Sequence, residues 1–138
     1  MIDIHLTQAF LKPKSIAIIG ASADPKKTGS RIQRFLVAHG YKGKIFPVNP
    51  NRDNIFGLKC YSNLKKIEEK VDHIFIAVDG DKIIASINDA ISIGVKCATI
   101  LSGGFSEAGL EGANLENKIL DIAQKGNLRI LGPNSIGI

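Results

Sequence analysis

Ser15-Ile16-Ala17-Ile18-Ile19, closed by Gly20, is a continuous apolar run with the length and branching of a parallel strand buried on both faces. The residues that follow, Gly20-Ala21-Ser22-Ala23-Asp24-Pro25-Lys26-Lys27-Thr28-Gly29-Ser30-Arg31, are rich in turn formers and cations. Beyond them Ile32, Phe35, Leu36 and Ala38 recur at helical spacing, and Gly40 stands where a C-terminal cap belongs. Strand, glycine turn and helix make the opening of a βα unit. The rest of the chain repeats it.

Lys44-Ile45-Phe46-Pro47-Val48 reads as a second strand, and Pro47 confines it to an edge or a strand end, because proline donates nothing to a ladder. Residues 72–78 form a third strand, 95–101 a fourth and 128–131 a fifth. Between them lies a helix with Ile83, Ile84, Ile87, Ala90 and Ile91 on its inner stripe, stopped by Gly94. A later helix over 114–125 turns Leu115, Ile119, Ile122 and Ala123 inward and stops at Gly126. Shorter helices are expected over 7–11 and 63–70. This alternation specifies an α/β fold, a Rossmann-like doubly wound parallel sheet of about five strands in three layers with right-handed crossovers.

The chain has 138 residues, 44% hydrophobic and 22% charged, which suits a single domain over 1–138 and excludes a disordered polymer. No apolar stretch approaches ~20 residues, so no membrane span is expected. The first residues lack the basic flank and apolar run of a signal peptide, and the cytosol is the expected compartment. Cys60 and Cys97 lie far apart, and His5, His39 and His73 are scattered, so no metal-ligand spacing occurs. Residues 1–70 carry 13 Lys and Arg against 5 Asp and Glu, whereas 71–138 carry 5 against 8. The basic half contains the first βα turn, which points to an anionic ligand there. Nucleic acid fits less well, because no aromatic stacking platform accompanies the cations. The abrupt ending Ile136-Gly137-Ile138 reads as the N-terminal fragment of a longer chain.

In an open parallel sheet the ligand sits beyond the carboxyl ends of the strands, at the switch point of the strand order. Gly20 allows the tight turn, Ala21 and Ser22 follow it, and Gly29-Ser30 opens a helix whose free amides favour an anion. Gly29 is expected to leave its backbone open to a phosphate. Lys26, Lys27 and Arg31 add positive charge. The pattern is not the dinucleotide fingerprint: Gly-x-Gly-x-x-Gly is missing, and Val48-Asn49-Pro50-Asn51-Arg52 offers a cation where an NAD ribose would meet a carboxylate. Ser102-Gly103-Gly104 lets a ligand approach the fourth strand, and Gly132-Pro133-Asn134-Ser135 makes a rigid polar turn after the fifth. The histidines read as structural, Cys97 as a core residue, and Asp72, Asp79, Asp81 and Glu107 as caps or solvated loop charges.

Gly20-Ala21-Ser22 with Pro25 and Gly29, Pro47-Val48-Asn49-Pro50, Ser102-Gly103-Gly104-Phe105-Ser106-Glu107 and Gly132-Pro133-Asn134 together resemble the CoA-binding domain of the NDP-forming acyl-CoA synthetases, over about residues 8–138. That family includes the succinyl-CoA synthetase α subunit and ADP-forming acetate–CoA ligases. The resemblance implies coenzyme A, free or acylated, as the ligand, and further ligase domains or a β-type subunit as partners. It places the CoA phosphates on Ser22, Lys26, Lys27, Gly29 and Ser30, the nucleotide end on Arg52, and the pantetheine along Ile100, Leu101 and Ser102. Where the family has Val-Pro-Ala after the third strand, this chain has Val78-Asp79-Gly80, and an inward Asp79 would be unfavourable beside a phosphate. The histidine that carries phosphate in the family belongs to a later domain, so no catalytic residue is assigned here. Two alternatives remain at this point: a stand-alone CoA-binding regulatory or acyltransferase-associated module, and an NADP-binding oxidoreductase domain, which Arg52 alone supports.

Overall fold

Five parallel strands meet edge to edge, and their order is set by which runs are apolar on both sides. A computed structural model describes residues 3–132, with α1 (Ile4–Leu11), β1 (Ser15–Ile19), α2 (Thr28–Ala38), β2 (Lys44–Val48), β3 (Asn54–Ile55), β4 (Leu58–Lys59), β5 (His73–Ile76), α3 (Asp81–Ser92), β6 (Cys97–Ile100), α4 (Leu110–Lys125) and β7 (Arg129–Leu131). The sheet runs β2-β1-β5-β6-β7, all parallel, so the expected Rossmann-like doubly wound sheet is present. Pro47 lies on β2, an edge strand, as its missing donor requires. The order reverses between β1 and β5, which puts the switch point at their carboxyl ends.

Alternation along β1 divides the core into two layers. Ile16 and Ile18 face α2, packing with Ile32, Leu36 and Phe75. Ala17 and Ile19 face the other way, into the cluster that Ile83, Ile87, Ile119 and Ala123 supply from α3 and α4. α1 joins the α2 side through Phe10, whose ring meets His73 edge-on, and His73 in turn stacks on Phe75.

His73 is a structural pin. Its Nδ1 donates to the Ala9 carbonyl at 3.2 Å, and that leaves Nε2 to accept from the Thr99 hydroxyl at 2.8 Å. Burial disfavours its charged form and pushes its pKa down to about 4. Cys97, fully buried in β6, has its thiol pushed up to about 12, first by burial and then by the Asp72 carboxylate. Neither residue faces the carboxyl ends of the strands.

Several elements depart from the expected reading. α2 turns Gly29, Ser30 and Gln33 into the protein, whereas Phe35 and Ala38 are exposed. The reason is contact: a glycine and two small or hydrogen-bonding residues let the helix lie close to β1. α4 begins at Leu110, four residues before the expected start, with Gly112 packed where a Cβ would lie 1.7 Å from the Phe105 carbonyl oxygen. The helix expected over 63–70 shrinks to one 3₁₀ turn, Leu64–Lys66, whose cap is the Asn63 side chain accepting from Lys65 N–H. Residues 54–59 form a small hairpin, β3–β4, turning on Phe56 and Gly57, both at positive φ. Gln33 fastens it to α2 by donating from Nε2 to the Ile55 carbonyl at 3.0 Å.

Candidate ligand cleft at the strand tips

The turn after β1 is built around two glycines, and each is needed for a different reason. Gly20 has φ +83°, and a Cβ there would stand 2.6 Å from the Ala77 carbonyl oxygen, so only glycine lets the β1 and β5 tips lie side by side. Gly29, which also lines the cleft, is needed for close packing. A Cβ there would lie 2.0 Å from the Gly20 carbonyl oxygen, so the space is already filled by the neighbouring strand tip. Gly29 is a packing residue that seats the α2 N-terminus on β1.

That seating leaves α2 with an open start. Its cap position is Lys27, in extended conformation and with no side-chain capping bond, so the first amides of the helix lack the usual side-chain acceptor. The loop ahead of it is preformed: Asp24 N–H donates to Ser22 Oγ at 3.0 Å, and Lys26 N–H donates to Asp24 Oδ1 at 2.9 Å. Because Ser22 Oγ is used there as an acceptor, its proton is left for a ligand oxygen.

A cleft of about 1000 Å³ opens at this end of the sheet. Gly20, Ala21, Ser22, Lys26, Lys27 and Gly29 line one side, Asn49 and Pro50 the β2 tip, and Val78, Leu101, Ser102 and Gly103 the β5 and β6 tips. That volume sits at the top of the usual range for small-molecule sites, about 300–1,000 Å³, and leaves room for a nucleotide with a long arm. Two of these residues serve as fasteners. Asn49 donates from Nδ2 to the Ala21 carbonyl at 2.9 Å and accepts from Asn51 N–H at 2.9 Å, which locks the β2 tip against the loop. Ser102 donates its hydroxyl to the Val78 carbonyl and ties the β6 tip to the β5 tip.

Other candidate residues fall elsewhere. Ser30 and Ile100 are fully buried behind the cleft wall. Arg52 is exposed just past the lining residue Asn51. Pro133 and Asn134 lie outside the described residues. Asp79 does stand on the rim, exposed. Glu107 closes the loop beyond β6: amide hydrogen bonds from Phe105, its own residue and Gly104 hold its carboxyl below the usual range, and it acts as a cap.

Sequence reasoning missed one whole wall. Lys82, Ala85, Ser86 and Asp89 of α3 and Ser62, Asn63 and Leu64 of the 3₁₀ segment also line the cleft. The α3 residues sit at i, i+3, i+4 and i+7, one helical stripe, and that polar stripe beside the isoleucine stripe was the available signal.

The donor set suits a phosphorylated ligand. Exposed lysines, uncapped helix amides and a free hydroxyl converge on one side, while Val78 and Leu101 supply apolar surface on the other. Among the described residues, no helix is long and apolar enough to cross a membrane.

Comparison with known proteins agrees with this geometry. Residues 14–138 match the family described as CoA binding domain. The chain is 44% identical over 126 residues to acetate–CoA ligase [ADP-forming] II of Archaeoglobus fulgidus, an alignment covering 91% of this chain and 19% of that protein. It is 38% identical over 135 residues to acetate–CoA ligase [ADP-forming] I subunit alpha of Pyrococcus furiosus, covering 95% of this chain and 29% of the relative. Among solved structures, it matches the dinucleotide forming acetyl-coenzyme A synthetase 1 of Ca. Korarchaeum cryptofilum, in complex with phosphate and ADP. That match has a TM-score of 0.89 and 42% identity, covering 96% of this chain and 28% of that one. The chain thus spans between about a fifth and a third of the length of these relatives. With the parallel sheet, the cleft at its switch point and a match over nearly its whole length, the chain belongs to the family of CoA-binding domains.

Proposed function

We propose that this chain is the CoA-presenting domain of an NDP-forming acid–CoA ligase, acting in the cytosol with further ligase domains or a β-type subunit. The observation that carries the reading is the cleft itself: cations and uncapped amides on the α2 side, apolar strand tips on the other. Coenzyme A has this polarity, with phosphates at one end and a pantetheine arm at the other. The Pyrococcus relative's being an alpha subunit supports a partner subunit or domain.

In this reading Ser22, Lys26, Lys27 and the first amides of α2 hold the pyrophosphate. Val78, Leu101, Ser102 and Gly103 guide the pantetheine, and Arg52 folds over the rim toward the 3′-phosphate. When bound, CoA supplies the thiol that takes up the acyl group. The domain's share of the rate is positional, through the high effective concentration of a thiol held in one place. No residue of this chain is assigned a chemical step.

A ligand that binds only the native state raises the melting temperature by mass action, with about 2.7 kcal/mol of stabilisation at 100 times Kd. CoA and acetyl-CoA are expected to raise it in a dose-dependent way and NAD to leave it unchanged. Stabilisation by NAD and not by CoA would overturn the proposal.

A further inference from the structure

β2 is an edge strand, and its backbone groups divide residue by residue. The Lys44 amide donates to the Lys14 carbonyl at 2.9 Å, and the Val48 carbonyl accepts from the Gly20 amide at 3.1 Å. Lys44, Phe46 and Val48 therefore give their groups to β1, and the alternation of a parallel strand turns Ile45 and Pro47 outward. At Pro47 the outward carbonyl accepts from the Tyr61 amide at 2.9 Å, and proline has no donor to leave idle. Ile45 differs: among the described residues nothing pairs with its outward N–H and C=O. Beside it lies a groove of about 340 Å³ between the end of α2 and β4. Val37, 63% exposed, and Leu58 give the groove apolar sides, and the rings of Phe46 and Tyr61 meet edge-on within it. Lys44 and Lys59 stand along it. Glu69 meets Lys44, whereas Lys59 Nζ lies 5.0 Å over the Tyr61 ring and pairs with no carboxylate among the described residues.

We propose that this groove takes an extended acidic segment of another polypeptide, which adds as a strand to the outer edge of β2 at Ile45 and sets a carboxylate on Lys59. The site stands apart from the CoA reading, because it shares no lining residue with the cleft at the strand tips. Unpaired peptide groups in a groove call for peptide groups opposite them, which neither a lipid surface nor a nucleic acid supplies. Strand addition gives affinity through the main chain and specificity through alternate side chains. One set of side chains would meet Val37 on the α2 side and the other Phe46 and Tyr61. Charge chooses the partner. Lys42, Lys44 and Lys59 outnumber Glu69 here, so carboxylates on the incoming strand are attracted. The same lysines, with the proline that withholds a donor, hold a second copy of this edge away.

The test follows the backbone amide signals of the protein by NMR while a blocked hexapeptide, Glu-Val-Glu-Val-Glu-Val, is added, with Lys-Val-Lys-Val-Lys-Val as its counterpart. A short strand addition of this kind should bind with a Kd of about 1 mM or below. The acidic peptide should shift the Ile45 amide and slow its hydrogen exchange, and the basic peptide should bind at least about ten-fold more weakly. Lys59→Glu, an exposed change that leaves the fold intact, should weaken the acidic peptide at least about five-fold. Val37→Asp gives a second arm on the opposite wall and should weaken it as well. An Ile45 amide that stays unmoved at roughly 2 mM acidic peptide overturns the proposal, as does equal binding of the two peptides. Indifference to Lys59→Glu also overturns it. Saturating CoA should leave the peptide in place; displacement by CoA would assign the shifts to general attraction by the cations of the strand-tip cleft and overturn the site. A shift of the Ile45 amide with protein concentration alone would give the edge to a second copy and overturn the acidic partner. Failure of CoA to bind would bear on the proposed function and leave this result standing.

Discussion

Replacing Gly29 with alanine probes how the turn after β1 is held. The added Cβ would lie 2.0 Å from the Gly20 carbonyl oxygen, 2.8 Å from its carbon and 3.1 Å from Ala21 Cα. A carbon and an oxygen approach comfortably at about 3.3 Å, so the first turn of α2 and the β1 tip must part by roughly 1.3 Å. Overpacking of this kind costs about 1–3 kcal/mol, and the obstacle here is backbone that no rotamer change can clear, which places the cost at the upper end. Alanine's better helix propensity returns at most about 1 kcal/mol. The net loss is about 2 kcal/mol, or about 8 °C of melting temperature for a chain of this size. Urea unfolding followed by circular dichroism measures it, with the slope unchanged if only stability moves. CoA affinity should fall as well, since Gly20, Ala21 and Ser22 shift together. A variant that melts with the parent protein would refute the packing argument.

Between pH 6.5 and about 4 the unfolded chain binds a proton on His73 that the folded protein refuses, so stability contributed by the neutral ring is full above pH 6.5 and lost as pH falls toward 4. The span corresponds to about 3 kcal/mol; His73→Leu should flatten that limb of the stability curve while lowering stability at pH 7, and an equally steep limb in the variant would contradict the assignment. Arg52→Ala should weaken CoA more than dephospho-CoA, whereas equal losses would take the 3′-phosphate away from Arg52. Cys97, fully buried with its thiol pushed up to about 12, should resist a thiol reagent until the protein unfolds. Rapid labelling of Cys97 in the native state would show that β6 opens locally.

The sheet was legible because its strands are apolar on both faces. Ser15–Ile19 and Lys44–Val48 fall at the expected residues, and Pro47 marks an edge for a reason that holds in any sheet. What escaped was structure held by close approach and by short irregular pieces. Phe56 takes positive φ in the β3–β4 turn, a conformation that its side chain gives no reason to expect. Gly112 reads as a helix breaker, yet the Phe105 carbonyl it packs against makes glycine the residue that lets α4 extend to Leu110. The side of the cleft after β1 was readable from its lysines and glycines. The α3 wall, Lys82, Ala85, Ser86 and Asp89, was readable only as a polar stripe beside the isoleucines, because residues 63–70 carry enough helical pattern to hide that they form a single 3₁₀ turn.

The most direct test is calorimetric titration of CoA into this protein and into a Lys26→Glu, Lys27→Glu double variant, with NADP titrated alongside. We expect one CoA per chain, no comparable heat from NADP, and a loss of at least about ten-fold in CoA affinity on charge reversal, with the fold intact by circular dichroism. CoA affinity untouched by the double variant, or NADP binding more tightly than CoA, would contradict the placement of coenzyme A in the cleft at the strand tips.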